Sequence, residues 1–418
     1  MSSTSFLTRG WLPATACALL LAACAAPGAS NTAGDAAPPA ATTTQASAAP
    51  PAAPAPPPVL PYNEAVLLAA RDLFGKAELP PGQKYNVVID PLVDGVTGIQ
   101  SLATADMEQQ VVALVKDSFP QYEVKPFNSA NVATLPLILV GTFTPINLQG
   151  KADGERDAYR VCFALADLKT GKIVSKGFAR SQTAGVNITP TPFFRDSPVW
   201  VNDKVVEGYI KTCQGTKAGD PIQPAYLDKI VASATIDEAT QAYNRQKYRD
   251  ALAIYNAVLR NPAGDQPRVH AGLYLTQLKL GQRGPAMQSF GKVVQYGLAS
   301  ERLAVKFNFR PVGTGFAQDG VPYDLWLREI ARQATLKATT CYDVSGHASR
   351  GAAERIAETV SLQRAEYVRQ RMVAERKDLA KRLTSQGVGT RQVMVGTGRE
   401  DTSDALDRRI EFKPANCT

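Results

Sequence analysis

The stretch that decides the fold of the C-terminal region is TCYDVSGHASRGAAERIAETVSLQRAEYVRQRM, residues 340–372. Residues 340–345 predict a strand that runs directly into the loop GHAS, residues 346–349. The segment TVSLQRAEYVRQRM then has the composition of a long helix. A strand, a polar loop and a helix therefore follow one another here, which places the loop and the start of the helix close together.

Further elements are predicted on both sides of this stretch. Strands are predicted at 304–309, 391–395 and 407–412, and a helix at 323–336. The long helix is expected to continue through AERKDLAKRLTSQG, because Leu379 and Leu383 keep helical spacing. Gly396-Thr397-Gly398 predicts a turn. Together these elements predict an α/β domain at 302–418, with a mixed sheet packed on helices.

Four features, in order, resemble the OmpA-like domain that binds peptidoglycan and also occurs in the Pal lipoprotein. They are the strand running into Gly-His, the VSLQRA helix (360–365), the Gly-x-Gly turn and the closing Arg-Arg-Ile-Glu strand. The resemblance implies non-covalent binding of the diaminopimelate residue of the peptidoglycan stem peptide. It also implies that Arg364 clamps a carboxylate of this residue, because a planar guanidinium gives two charge-assisted hydrogen bonds.

Several positions depart from the family pattern. Ser349 stands where the family has an aspartate that meets the ligand's ammonium, Ala352 replaces a loop glycine and Ala357 a helix asparagine. Asn-Arg-Arg has become Asp-Arg-Arg at 407–409. The candidate binding residues are Arg364, Ser349, His347, Asp407 and Arg408.

Different roles stay open for these candidates. Ser349 can accept a hydrogen bond, and Asp407 is a candidate for a compensating carboxylate; otherwise the pocket is repurposed or has lost its ligand. Arg364 could instead pair with Glu358 or Glu411 at the surface. His347 is favoured as a packing residue at the strand end.

Residues 225–298 match themselves at an offset of 35 residues, which is typical of helical repeats. Ala251 and Tyr255 correspond to Ala286 and Phe290. The pattern resembles a pair of tetratricopeptide repeats, an all-α unit. Two repeats are too few for a stable solenoid, so they must pack on a neighbouring domain, as a spacer or as a protein-binding surface.

Residues 62–215 alternate predicted strands and helices and end in a hairpin around Lys169-Thr170-Gly171. The segments LILVGTFT and ALADLKTGKIVSKG resemble periplasmic α/β domains of the TolB N-terminal, curli-secretion, FlgO and penicillin-binding-protein-activator type. The resemblance implies a binding or assembly module. The region has no nucleophile elbow, phosphate loop or metal-ligand spacing.

The first 23 residues predict a signal peptide, with Arg9 before an apolar run that is too short to span a membrane. The run ends in Leu-Ala-Ala-Cys, which resembles a bacterial lipobox and implies acylation of Cys24. Ala25 is not the aspartate that retains such lipoproteins in the inner membrane, so the outer membrane is expected. Residues 24–60 are rich in Pro and Ala and predict a disordered tether.

Four further cysteines fit an oxidising compartment. Cys162, Cys213, Cys341 and Cys417 allow three connectivities, of which pairing within domains, 162–213 and 341–417, is the simplest. The absence of Cys-x-x-Cys argues against redox catalysis and zinc. The chain of 418 residues has two histidines and a net charge of +8 without a block of like charges. Metal sites, cofactors, a Ser-His-Asp enzyme and nucleic-acid binding are therefore not expected.

The sequence thus predicts a multidomain, non-enzymatic, lipid-anchored outer-membrane protein facing the periplasm. It would bind peptidoglycan and present a module for a periplasmic protein partner. The alternative is a regulatory or assembly adaptor for a cell-wall synthase or a secretion or flagellar complex, whose OmpA-like domain has lost peptidoglycan binding. A hydrolase or transferase acting on the wall would need an acid/base pair or a nucleophile, and none is found.

Overall fold

Apolar runs of the first half of the chain become the strands of a large sheet. The computed structural model describes residues 57–153, 155–310, 313–399 and 401–417. The predicted signal peptide, the acylation site Cys24 and nearly all of the tether lie outside these residues. The elements of the first half are β1 (Val59–Leu60), α1 (Tyr62–Gly75), β2 (Tyr85–Ile89), β3 (Val93–Asp94), α2 (Leu102–Ser118), β4 (Tyr122–Lys125), α3 (Ser129–Thr134), β5 (Leu137–Ile146), β6 (Ala158–Asp167), β7 (Lys172–Ser181), α4 (Pro192–Asp196), β8 (Val199–Val201) and α5 (Lys204–Gln214).

The first sheet has the strand order β1-β7-β6-β5-β2-β4, and β3 pairs with β5. The strands β5, β6 and β7 run antiparallel, whereas β2 lies parallel to both β5 and β4. The predicted hairpin around Gly171 is confirmed. Gly171 has a φ of 68°, a backbone conformation that glycine adopts more readily than residues with a side chain. The expected disulfide between Cys162 and Cys213 is confirmed and joins β6 to α5.

Two consecutive helix pairs follow the first sheet. Their helices, after the short α6 (Pro224–Leu227), are α7 (Ile230–Asn244), α8 (Tyr248–Leu259), α9 (Pro267–Lys279) and α10 (Arg283–Ala299). The four side chains matched in the sequence self-comparison, Ala251, Tyr255, Ala286 and Phe290, are fully buried. The helices α8 and α10 therefore each bury one alanine and one aromatic side chain at matching positions.

The last third of the chain forms a second sheet with two long helices. Its elements are β9 (Leu303–Val305), α11 (Tyr323–Thr335), β10 (Cys341–His347), α12 (Glu354–Glu375), β11 (Leu383–Gly389) and β12 (Ile410–Ala415). The strand order is β11-β10-β12-β9-β8. The edge strand β11 lies parallel to β10 and the other pairs are antiparallel, so the sheet is mixed. The expected disulfide between Cys341 and Cys417 is confirmed and holds the end of the chain to β10.

The edge strand β8 comes from the first half of the chain, a pairing that the sequence did not predict. Val199 pairs with Val305 and Val201 with Leu303. The helix pairs also share a hydrophobic core with the second sheet. The rings of Phe290 and Trp326 stack at 5.8 Å, and the Trp326 indole donates to the Tyr274 hydroxyl. The helix pairs thus pack on the second sheet and on α11.

Two predictions near the end of the chain are wrong. The helix α12 ends at Glu375 and does not continue through Leu383, which lies in β11 and pairs with Tyr342 of β10. The third strand is 383–389 and not 391–395. Leu379 lies in a tight turn and Leu383 begins the edge strand β11. Both are buried, so their spacing of four residues imitates that of a helix. None of the helices in the described part of the chain is long and apolar enough to cross a bilayer.

Candidate functional site

Glycines bring the strands of the second sheet close to α12. A side chain at Gly346 in β10 would overlap the carbonyl group of Ser361, and one at Gly387 in β11 would overlap that of Glu358. The backbone amide of Gly389 also donates to the Ser361 hydroxyl at 3.1 Å. This close packing fixes α12, and with it Arg364, relative to the end of β10.

Arg364 lies in the middle of α12 and is partly buried. Its guanidinium carbon lies 4.9 Å from the centre of the Phe309 ring, and its Nε is buried without a hydrogen-bond partner. Burial, and then the neighbouring charge of Arg408, lower the pKa of Arg364 from its usual value. Neither of these contacts supplies a negative charge for the guanidinium.

The two carboxylates proposed as surface partners of Arg364 are used elsewhere. Glu358 pairs with Arg391 at 3.2 Å, and Glu411 pairs with Arg409 at 2.7 Å. Within the described ranges, no carboxylate forms an ion pair with Arg364. The arrangement can therefore accept an external anion at this guanidinium.

Arg408 contributes a second guanidinium with an unused nitrogen. Its Nη2 donates to the backbone carbonyl of Asp401 at 2.9 Å, whereas its Nη1 is buried without a partner. A planar carboxylate is the group that such guanidinium nitrogens bind with two hydrogen bonds. The neighbourhood of Arg364 and Arg408 thus favours a carboxylate ligand.

Asp407 organises the loop between β11 and β12. Its buried carboxylate accepts hydrogen bonds from the backbone amides of Met394, Val395 and Gly396 at 2.5, 2.8 and 2.6 Å. Burial raises the pKa of Asp407, and the three amides oppose this shift. Because both oxygens hold the loop, Asp407 is placed as a loop anchor rather than as a free carboxylate for an ammonium group.

His347 ends β10 in a buried position between charged side chains. Its imidazole Nε2 lies 3.7 Å from a carboxylate oxygen of Glu411, and neither ring nitrogen has a hydrogen-bond partner. Burial, followed by the charge of Arg409, lowers the pKa of His347 to about 3. The imidazole is therefore neutral at ordinary pH and fills space at the strand end.

Ser349 lies in the loop after β10 and is buried, with 6% of its surface exposed. It brings no charge to the site. Sequence reasoning missed Asp404, which is fully buried and keeps one carboxylate oxygen without a partner. Its other oxygen accepts from the backbone amide of Thr397 at 3.1 Å. The available signal in the sequence was the pair of acidic residues Asp404 and Asp407, which are three positions apart.

A buried charge network lies behind the site. Glu411, fully buried on β12, pairs with Arg409 at 2.7 Å, Arg302 at 2.8 Å and Lys413 at 2.9 Å. Burial opposes ionisation, but the cations of Arg409 and Arg302 outweigh it and lower the pKa of Glu411. The described residues contain no group of three or more His, Cys, Asp or Glu side chains that could hold a metal ion.

Comparisons with known proteins give partial similarities in structure. The periplasmic domain of Helicobacter pylori MotB is 13% identical, with 28% of this chain and 76% of that chain covered and a TM-score of 0.24. The peptidoglycan-associated lipoprotein from Burkholderia pseudomallei is 19% identical, with coverages of 27% and 89% and a TM-score of 0.23. The cell wall anchor of the type VI secretion system from Pseudomonas aeruginosa is 23% identical, with coverages of 28% and 80% and a TM-score of 0.23.

These similarities concern little more than a quarter of this chain. At such TM-scores they establish neither the fold nor the function of the protein. No protein-family model matches the sequence, and no curated protein does.

Proposed function

We propose that this protein binds peptidoglycan non-covalently, with Arg364 as the clamp for a carboxylate of the diaminopimelate stem peptide. The observation that carries the proposal is the partly buried guanidinium of Arg364, whose Nε has no hydrogen-bond partner. The unused Nη1 of Arg408 supports the same ligand chemistry. An anion bound here would satisfy nitrogens that the protein leaves without acceptors.

The proposed role is that of a link between envelope layers. Acylated Cys24 would hold the chain in the outer membrane, and the Pro/Ala-rich tether would let the folded part reach the cell wall. The α/β unit at 62–215 would present a binding surface to a periplasmic protein. No catalytic step is part of this role.

Sedimentation with insoluble peptidoglycan sacculi tests the proposal. The full chain carrying Cys24→Ser, which removes the acyl anchor, is compared with the same chain carrying Arg364→Ala or Arg355→Ala. Arg355 is an exposed arginine of the same helix and serves as the matched control. Loss of a charge-assisted hydrogen-bond pair of about 1.5–3 kcal/mol predicts roughly ten- to hundred-fold weaker binding for Arg364→Ala. Equal sedimentation of all three chains would contradict the proposal.

A second candidate function is a regulatory or assembly adaptor that has lost peptidoglycan binding. The neutral Ser349 in place of an acidic residue favours it, together with the engagement of Asp407 by three backbone amides. In this case the chain would not sediment with sacculi, yet it would still bind its periplasmic protein partner. Failure of the wild-type chain to sediment, with its fold intact, would favour the adaptor.

A further inference from the structure

A cavity of about 280 Å³ lies where the first sheet, the helix pairs and the second sheet meet. Its wall combines side chains that are far apart in sequence. The apolar part of the wall includes Ile99, Phe143, Phe193, Trp200, Val293 and Leu406. The space is open to solvent on one side and its lining is mostly apolar, which is the form of a small-molecule pocket.

The basic side chains in the wall already have partners within the protein. Arg268 pairs with Asp203 at 3.1 Å, and Arg302 pairs with Glu411 while lying over the Trp200 ring at 4.9 Å. Arg268 and Arg302 are therefore not left to attract an anion from solution.

The remaining charged side chains lead to the same conclusion. The Lys306 ammonium donates to the backbone carbonyls of Phe194 and Arg195 at 3.1 and 3.0 Å. Asp94 accepts from the backbone amide of Thr97 at 2.7 Å, and Glu207 is exposed to solvent. Each charged side chain of the wall therefore has a hydrogen-bond partner within the protein or faces solvent, and the apolar part of the wall suits an uncharged ligand.

We propose that this cavity binds an uncharged, apolar small molecule of up to three rings, or a hydrocarbon chain of equivalent size. Pockets for small molecules are mostly apolar, occur at junctions between domains and begin at about 300 Å³. Water against the apolar part of the wall finds few polar partners, so its displacement by an apolar ligand is favourable. The wall does not include Arg364, so this site is separate from the one proposed for peptidoglycan.

The probe for the test is N-phenyl-1-naphthylamine, a neutral two-ring system joined to a third ring, whose fluorescence rises in apolar surroundings. It is titrated into the full chain carrying Cys24→Ser, so that no acyl chain competes for the probe. The cavity is filled from two sides with Ala405→Trp and Ile188→Trp, both half-buried wall residues. The control is Ala380→Trp, an exposed alanine outside the wall.

The expected result is saturable one-to-one binding that weakens at least ten-fold in both cavity variants and is unchanged in the control. Absence of saturable binding to the folded parent chain would overturn the proposal, as would equal binding by all variants. Melting temperatures and circular dichroism show which variants fold.

Hydrogen exchange on the parent chain gives a second test that needs no variant. The probe is expected to slow amide exchange in residues 193–210 and 401–406, which border the cavity, and to leave α12 unchanged. Protection of α12 alone, or no protection at all, would overturn the proposal.

Discussion

Replacing Glu411 with glutamine removes the negative charge that Arg409, Arg302 and Lys413 share. The Glu411 and Arg409 side chains are both fully buried, whereas Arg302 and Lys413 keep 29% and 38% of their side-chain surface exposed. The two exposed cations can turn to water after the substitution. Arg409 cannot, so the variant leaves a guanidinium buried without its counter-charge.

The magnitude follows from this difference in burial. Removing one partner of a buried ion pair costs about 3–5 kcal/mol. Arg409 keeps hydrogen bonds to the backbone carbonyls of Gln392 and Leu406 at 3.0 and 3.3 Å. We therefore expect Glu411→Gln to lower the free energy of unfolding by about 3 kcal/mol, at the lower end of that range.

Urea unfolding of the full chain, followed by tryptophan fluorescence, measures this loss. The control is Glu375→Gln, which breaks the exposed pair between Glu375 and Arg328 at 3.2 Å. We expect the control to cost no more than about 1 kcal/mol. A loss for Glu411→Gln that equals the control would refute the reasoning, because buried and exposed pairs would then contribute alike.

Four further substitutions test other parts of the structure. Burial raises the pKa of Asp90 to about 7. As the pH rises from about 4 to 7, the parent chain should therefore lose on the order of 4 kcal/mol of stability relative to Asp90→Asn. Urea midpoints of the two chains that run parallel across this range would contradict this. Cys341→Ser opens the disulfide to Cys417, and the free energy of unfolding should fall by about 2–4 kcal/mol; an unchanged urea midpoint would argue against a stabilising cross-link. Gly346→Ala should cost about 2 kcal/mol or more, since its Cβ would overlap the α12 backbone. In Gly284→Ala on α10, the added Cβ would meet no other atom, so this variant should raise the free energy of unfolding by about 0.5–1 kcal/mol. Melting temperatures of Gly346→Ala and Gly284→Ala that shift in the same direction would refute the expected contrast between them.

Local signals in the sequence predicted a large part of the fold. The continuous apolar run of β5 and the turn at Gly171 gave the central strands and the hairpin of the first sheet. Pairing the four cysteines within the predicted domains gave both disulfides. The self-comparison found the two helix pairs, because the groove between paired helices needs a small residue such as Ala251 beside an aromatic one such as Tyr255.

The sequence did not predict the pairing of strands that are far apart in the chain, or the irregular segments near its end. The short strand β8 carries no signal that it pairs with β9, a hundred residues later, because backbone pairing does not depend on side-chain pattern alone. The strand β11 was missed since only Leu383 and Val388 among its residues are buried apolar groups. Residues 391–395 resemble a strand in composition, but the amides of Met394 and Val395 donate to the Asp407 carboxylate in a loop.

Only part of the candidate site could be predicted from the sequence. A motif placed Arg364 on a helix beside a strand end, and the structure agrees with that placement. The motif could not tell that the Asp407 carboxylate is taken up by backbone amides, or that one oxygen of the buried Asp404 stays unpartnered. Such facts depend on the path of the loop between β11 and β12.

Titration of the full chain carrying Cys24→Ser with a stem tripeptide that ends in diaminopimelate tests the central claim most directly. The same peptide with both carboxylates of its diaminopimelate amidated serves as the comparison ligand. We predict that the acid binds at least ten-fold more tightly than the amide, and that Arg364→Ala removes this preference while Arg355→Ala keeps it. Equal binding of both peptides by the parent chain, or an unchanged preference in Arg364→Ala, would contradict the carboxylate clamp.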